Sequence, residues 1–184
     1  MAIDNLVPKR KRLLVAASII VREQGVEHLT LEAVAKAAGV SKGGLLYHFP
    51  SKDALINGMV EDLTNAFVED IQDRVDRDLQ PNGRWSRAYV ESTFRGFEDG
   101  LEMSSILSAA LFTNPELLQQ MQEQYAVWQK NIENDGLNPI RSTIARLAAD
   151  GLWFSEMFGL APLEKDAKEL IFNELMAWTK EDHT

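Results

Sequence analysis

Between Ser41 and Lys52 the chain gathers several proton donors around two positions with no side chain. Ser41, Lys42, Tyr47, His48 and Lys52 flank Gly43 and Gly44. A hydroxyl, two ammonium groups, a phenol and an imidazole are donors suited to phosphate oxygens. Each glycine in a helix costs about 0.8–1 kcal/mol against alanine, so two in a row conflict with the helix they sit in. Conflicts of that kind tend to mark function. A bare helix start lets backbone N–H groups approach a ligand closely, and those groups favour anions. The chemistry implied is recognition of a duplex rather than catalysis. Lys42 is placed to donate to guanine acceptors, and Thr30, Ser41, Tyr47, His48 and Lys52 are placed to hold phosphates.

Catalytic alternatives lack their parts. With no cysteine there is no thiolate nucleophile, no cysteine-ligated zinc and no disulfide, which fits a reducing cytoplasm. The three histidines, His28, His48 and His183, form no metal-ligand spacing with one another or with a carboxylate. No phosphate-binding glycine loop and no G-x-S-x-G is present. The remaining carboxylates read as solvated helix faces. No enzyme activity, metal or cofactor is expected.

The elements that must carry the donors are two short helices and a turn. Leu31, Val34, Ala35 and Ala38 give Thr30–Ala38 one apolar face behind an N-cap threonine. Gly39 can take the left-handed conformation that ends a helix. Ser41 caps the second helix, where Leu45 and Phe49 share a face. Pro50 and Ser51 close it and open the next. This is the pattern of a helix-turn-helix over about residues 30–50. A helix from Lys9 to about Gly25, with Leu13, Ala17, Ile20 and Val21 inward, completes a three-helix head. A long fourth helix runs from Lys52 to about Leu79, with Leu55, Met59, Leu63, Phe67 and Ile71 on one stripe.

The run from Thr30 to Leu55, ending in VSKGGLLYHFPSKDAL, resembles the DNA-binding region of the tetracycline-repressor (TetR) family. Gly39, Val40, Ser41, Leu45, Tyr47, His48, Phe49 and Lys52 carry the likeness. Leu46 is a departure, at a place where many members have a tyrosine. The resemblance covers the first third of the chain. It implies a dimeric regulator that binds double-stranded operator DNA and responds to a small effector held in its helical body.

A net charge of −9 is unexpected for a DNA binder, but it is unevenly spread. Residues 1–60 carry eight Lys and Arg against five Asp and Glu, and the remainder eleven against twenty-three. A basic head on an acidic body would turn the head towards a polyanion. Part of that charge is the cluster Lys9–Arg12, at a helix start where cations are disfavoured unless an anion is near. The apolar stretch that follows, LLVAASIIV, is broken by Arg22 and Glu23 and reads as helix, not signal peptide. No apolar run approaches the ~18 residues that span a bilayer.

Beyond Gly83 the periodicity is helical throughout, with no period-2 strand. The expected fold is all-α, about nine helices: a head over residues 1–55 and a body for effector binding and dimerisation over 56–184. Helices are expected over 84–101, 103–113, 115–136, 139–159 and after Pro162. The penultimate one carries Ile140, Ile144, Leu147, Ala148, Leu152, Phe154 and Met157. Trp85, Tyr89, Phe94, Phe97, Met103, Phe112, Met121, Tyr125, Trp128 and Phe154 are the effector-pocket candidates, by their aromatic and Met character. Leu152, Trp153, Leu163, Ile171, Leu175 and Trp178 are candidates for a dimer face on the last two helices. The reading is a repressor, homodimeric and cytoplasmic, released from a palindromic operator by a largely apolar effector. The alternative is an all-helical adaptor that binds protein and not DNA.

Overall fold

The computed structural model describes residues 7–95 and 114–180, and these are helical with no strand among them. Helix α1 is Lys9–Gln24; it stops at Gly25, whose φ of 91° suits glycine and whose N–H returns to the Val21 carbonyl. A single 3₁₀ turn, Val26–His28, leads to α2 (Leu31–Ala37), α3 (Lys42–His48) and α4 (Lys52–Arg77). Each start is capped from the sequence. Thr30 Oγ1 accepts from Ala33 N at 3.1 Å, Ser41 Oγ from Gly44 N at 3.1 Å, and Ser51 Oγ from Ala54 N at 3.0 Å. Gly39, at φ 66°, ends α2 as expected.

By contact density the chain divides within α4, between Asn65 and Ala66. In the first unit Leu13, Leu14, Ala17, Ile20 and Val21 of α1 meet Leu29, Val34 of α2, Leu45 of α3, Phe49, and Leu55 and Met59 of α4. A seven-residue helix with two glycines cannot hold itself in water. Leu45, fully buried, and Phe49, 2% exposed, hold it instead, each contributing about 1.5–3 kcal/mol of burial. Gly58 makes the fit possible: a Cβ there would lie 2.6 Å from Phe49 Cε1.

The second unit contains the rest of α4, then α5 (helical over 84–95 as described), α6 (Pro115–Glu133), α7 (Pro139–Met157) and α8 (Lys165–Trp178). Asn138 caps α7 ahead of Pro139, as expected. One cluster joins Ile71 and Val75 of α4, Ala88 and Tyr89 of α5, Trp128 and Ile132 of α6, and Ala149 of α7. Another joins Val90, Ala145, Leu175 and Met176. Buried Arg87 ties three chain segments together: Nε donates to Asp78, Nη1 to the Thr179 carbonyl and Nη2 to the Gln80 carbonyl, all within 2.9 Å. Asp135 caps α5 from another loop, accepting from Trp85 N and Ser86 N.

Three expectations change. Helix α4 ends at Arg77, not Leu79, which is 97% exposed. On α7 the buried face is Ser142, Ala145, Ala149 and Leu152, while Ile140, Ile144, Leu147, Ala148 and Phe154 are exposed. Small residues face inward there because neighbouring helices pack close. The carboxylates are not all solvated either: Asp135 is buried, Asp150 is partly so, and the Glu156 side chain is 5% exposed while pairing with Lys168. The helix expected at 103–113 lies outside the described residues, as do Phe97, Met103, Phe112 and His183.

Candidate functional site

Helix α3 has two sides with opposite roles. Leu45 and Phe49 seal it to the head, while Lys42, Gly43, Leu46 and Tyr47 are exposed, Tyr47 at 85%. His48 is half-buried and meets the Tyr47 ring edge to face at 5.1 Å. A Cβ added at Gly43 would meet nothing within 4 Å, and at Gly44 only Ser41 Oγ, at 3.2 Å. Neither glycine has a positive φ. The fold therefore does not require Gly43, whereas a side chain at Gly44 would crowd the capping oxygen; the bareness at Gly43 is left to be explained by what approaches it. Ser41 and Thr30 cap with their oxygens as acceptors, so each hydroxyl proton remains available to an outside acceptor. Thr30, Ser41 and Lys52 are all exposed at helix starts.

Lys42 is not free: its Nζ lies 2.5 Å from Glu32 Oε1, on the first turn of α2. The hydrogen bond from Lys42, then its charge, holds the Glu32 carboxyl below the usual carboxylate range. The basic run at the start of α1 is also largely spoken for. Arg10 pairs with Glu61 at 3.0 Å and lies over the Phe49 ring at 5.3 Å, Lys11 pairs with Asp62 at 2.7 Å, and Arg12 donates to the Ala38 carbonyl. The unfavourable dipole at this helix start is thus met by two carboxylates of α4. Counting Glu61 and Asp62, which follow the residue-60 boundary directly, the head's net charge falls to +1. Its attraction for a polyanion is local to exposed donors rather than global.

In the second unit the effector candidates separate. Tyr89, Tyr125 and Trp128 come together, and Phe67, which sequence reasoning put only on the core stripe, completes the group. Ring centroids lie 5.1–5.9 Å apart in edge-to-face pairs. At their centre Asp150 Oδ1 accepts from Tyr89 Oη at 2.5 Å and Tyr125 Oη at 3.4 Å, and Oδ2 from Arg146 at 2.6 Å. Arg146 also donates to Gln129 and lies 5.8 Å from the Tyr125 ring centroid. Burial pushes the Asp150 carboxyl above the usual range, against the pull of its donors, and pushes the Tyr89 and Tyr125 phenols up. The sequence signal for this cluster was Arg146 and Asp150 at i,i+4 on α7, within the apolar run from Ile144 to Phe154.

Trp85 packs at the cluster's edge and also borders a polar pocket of about 250 Å³ with Asn82, Asn131, Asn134 and Asp135. Phe94 stacks on Phe172, 5.2 Å away, and Met121 is half-buried. Phe154 does not join them: two residues on from Leu152 it has turned about 200° around α7, and it pairs with Phe158 while 49% exposed. Of the dimer candidates, Leu152 and Leu175 are buried in the protomer's own packing, Trp153 and Trp178 are partly buried, and Leu163 and Ile171 are exposed. An exposed apolar row runs beside them: Ile140, Ile144, Leu147, Phe154 and Phe158, with Leu160 and Leu170 nearby in sequence.

Among the described residues no group of three or more His, Asp or Glu is arranged to hold a metal, and no helix is long and apolar enough to cross a membrane. Two family models match the chain. Residues 13–59 match the bacterial regulatory proteins of the tetR family, and 83–180 the tetracyclin repressor-like C-terminal domain. The HTH-type transcriptional repressor KstR2 of Rhodococcus jostii is 32% identical over 84 residues, 46% of this chain and 39% of that protein. The HTH-type transcriptional regulator UidR of Escherichia coli is 40% identical over 53 residues, 29% of this chain and 27% of its own. The chain thus spans about two fifths or less of these relatives. A transcriptional regulator from Pseudomonas aeruginosa has a similar fold, with a TM-score of 0.69 at 16% identity over 96% of this chain and 92% of that one. With one family model on its helix-turn-helix and another over more than half its length, the chain belongs to the TetR family of bacterial regulatory proteins.

Proposed function

We propose that the chain is a ligand-responsive repressor that binds a palindromic DNA operator as a homodimer and is released by a small, largely apolar effector. The observation that carries this is the α3 tip: anchored from behind by Leu45 and Phe49, yet open in front at Gly43 and Gly44 beside exposed donors. Lys42 reads a base edge, and Thr30, Ser41, Tyr47, His48 and Lys52 hold phosphates. Two such helices lie ~34–36 Å apart on the duplex or are spaced for an expanded site.

The second copy docks on the exposed row of α7 together with α8. Ile140, Ile144, Leu147, Gly151, Phe154 and Phe158 follow alternating steps of four and three, the spacing of a helix-packing seam. Gly151 has open space where its Cβ would be, which suits close approach of a partner helix. The effector binds against Tyr89, Tyr125 and Trp128, with Asp150 and Arg146 to orient a polar group. Helix α4 carries residues of both units and is the covalent route for coupling. KstR2's description as a repressor favours repression as the outcome.

The test is binding to genomic fragments with footprinting of the bound site, followed by a salt titration. A footprint with two-fold symmetry and a fall of affinity with log[salt] is expected. Lys52→Ala should flatten that slope by about 1.8 for the dimer, one phosphate contact's share of about 0.9 from each protomer. Salt-independent capture of protein partners, with no footprint, would instead favour an adaptor.

A further inference from the structure

We infer that Glu32 is a positioning and specificity-determining residue: it holds the Lys42 ammonium at the tip of α3 and keeps it from binding phosphates indiscriminately. This rests on the reading of α3 as the helix that meets DNA. Glu32 is the second residue of α2, behind the Thr30 cap, where the helix dipole favours a carboxylate and the first turn fixes its backbone. Lys42 is the first residue of α3, and a flexible four-carbon stem at that exposed place would otherwise sweep freely. The 2.5 Å contact ties one to the other across the turn.

Both side chains are mostly exposed, 61% for Lys42 and 71% for Glu32. The pair adds little to folding, so its presence at this spot calls for another consequence. An ammonium has three donors. It can keep one on Glu32 and still offer others to the paired acceptors of guanine. A lone phosphate fares worse, because it meets an ammonium already neutralised and a carboxylate beside it. The pair therefore weakens sequence-independent binding more than operator binding, and the difference is specificity.

The experiment compares the wild type with Glu32→Gln, Lys42→Ala and the double variant. Fluorescence anisotropy is read at 50 and 200 mM KCl, on an operator duplex recovered by in vitro selection and on a scrambled duplex of the same length. Glu32→Gln should tighten binding to the scrambled duplex and steepen its salt slope by about 0.9 per protomer, about 1.8 for the dimer. That gain should be about 12-fold larger at 50 than at 200 mM, and the operator-to-scrambled ratio should fall. In the Lys42→Ala background the same change should leave the slope where it was. Three results overturn the inference. Glu32→Gln matching the wild type while Lys42→Ala loses operator affinity would remove Glu32's role and leave α3 as the reading helix. An equal slope change with and without Lys42 would reduce Glu32 to a general repulsive charge. Lys42→Ala binding the operator like the wild type would remove the α3 assignment as well.

Discussion

Replacing Gly43 with alanine sets the fold against the function. The residue is the second of α3, its φ is not in the left-handed region, and an added Cβ would have open space around it. Nothing in the free protein is strained by the methyl, and the helix gains from it. The stabilisation should be about 0.5–1 kcal/mol, the ordinary difference between glycine and alanine in a helix, which for a chain of this size is about 1–4 °C in melting temperature. On the proposed docking the same methyl projects from the tip that meets the duplex. Moving that tip back by on the order of 1 Å loses a charge-assisted contact worth about 1.5–3 kcal/mol, so operator Kd should rise roughly 10- to 100-fold. Circular-dichroism melting and anisotropy on one preparation measure both. A higher melting temperature with unchanged operator affinity would refute the account of the bare tip. A lower melting temperature would refute the helical placement of Gly43. Gly44 is a poorer test, because its Cβ would crowd Ser41 Oγ, the atom that caps the helix.

Gly58→Ala should destabilise the first unit by about 1–3 kcal/mol through overpacking, since the new Cβ would lie 2.6 Å from Phe49 Cε1; a melting curve superimposable on the wild type's would contradict that packing. Tyr89→Phe should cost about 1.5–3 kcal/mol at pH 7, the worth of a hydrogen bond to a charged group. The folded state holds the Tyr89 proton well above the ordinary phenol pKa, chiefly by burial. The contribution of Tyr89 is therefore fully present below the ordinary phenol pKa of about 10 and is lost as pH rises further. Urea melts at pH 7, 9 and 10.5 should show that loss reduced in Tyr89→Phe, with Tyr125 contributing the remainder; parallel slopes would argue against the shift. Leu147→Glu changes a side chain 53% exposed in the protomer, so folding should survive while dimerisation weakens about 100-fold or more from a charge buried unpaired; sedimentation velocity showing the wild-type dimer would move the interface elsewhere.

The head was legible because its signals are local. A capping hydroxyl acts within three residues, a left-handed glycine within one, and Leu45 and Phe49 within one helical turn. Sequence pattern is strong at that range. Gly58 was missed because its role is set by the Phe49 ring, nine positions away at the end of α3. The body was legible as helices but not as faces. Helix α7 has apolar residues on more than one face, so its periodicity does not say whether Ala145 and Ala149 or Ile144 and Leu147 turn inward. Size misleads in such a case, because small residues permit the closest packing. The Asp150 cluster failed for a different reason. A carboxylate is solvated by default, and only the meeting of Tyr89 from α5, Tyr125 from α6 and Arg146 from α7 makes its burial tolerable.

The charge pattern shows how a protein of this composition can still be steered to DNA. Arg10 and Lys11 look like the head's strongest attraction, yet Glu61 and Asp62 neutralise them. Lys42 is neutralised by Glu32. These contacts leave Lys9, Arg22, Lys36 and Lys52 as exposed cations, and beside them the directional donors of the α3 side: backbone N–H groups at its tip, capping hydroxyls and Tyr47. Directional donors reward a duplex only when its phosphates and base edges fall at the right places, whereas bare cations reward any polyanion. A head built this way trades non-specific affinity for discrimination. The salt slope on the operator should accordingly report few released counterions, fewer than the basic residues of the head would suggest. A slope that counts all eight Lys and Arg in residues 1–60 of each protomer, sixteen for a dimer, would mean that the ion pairs open on binding and that the steering is electrostatic after all.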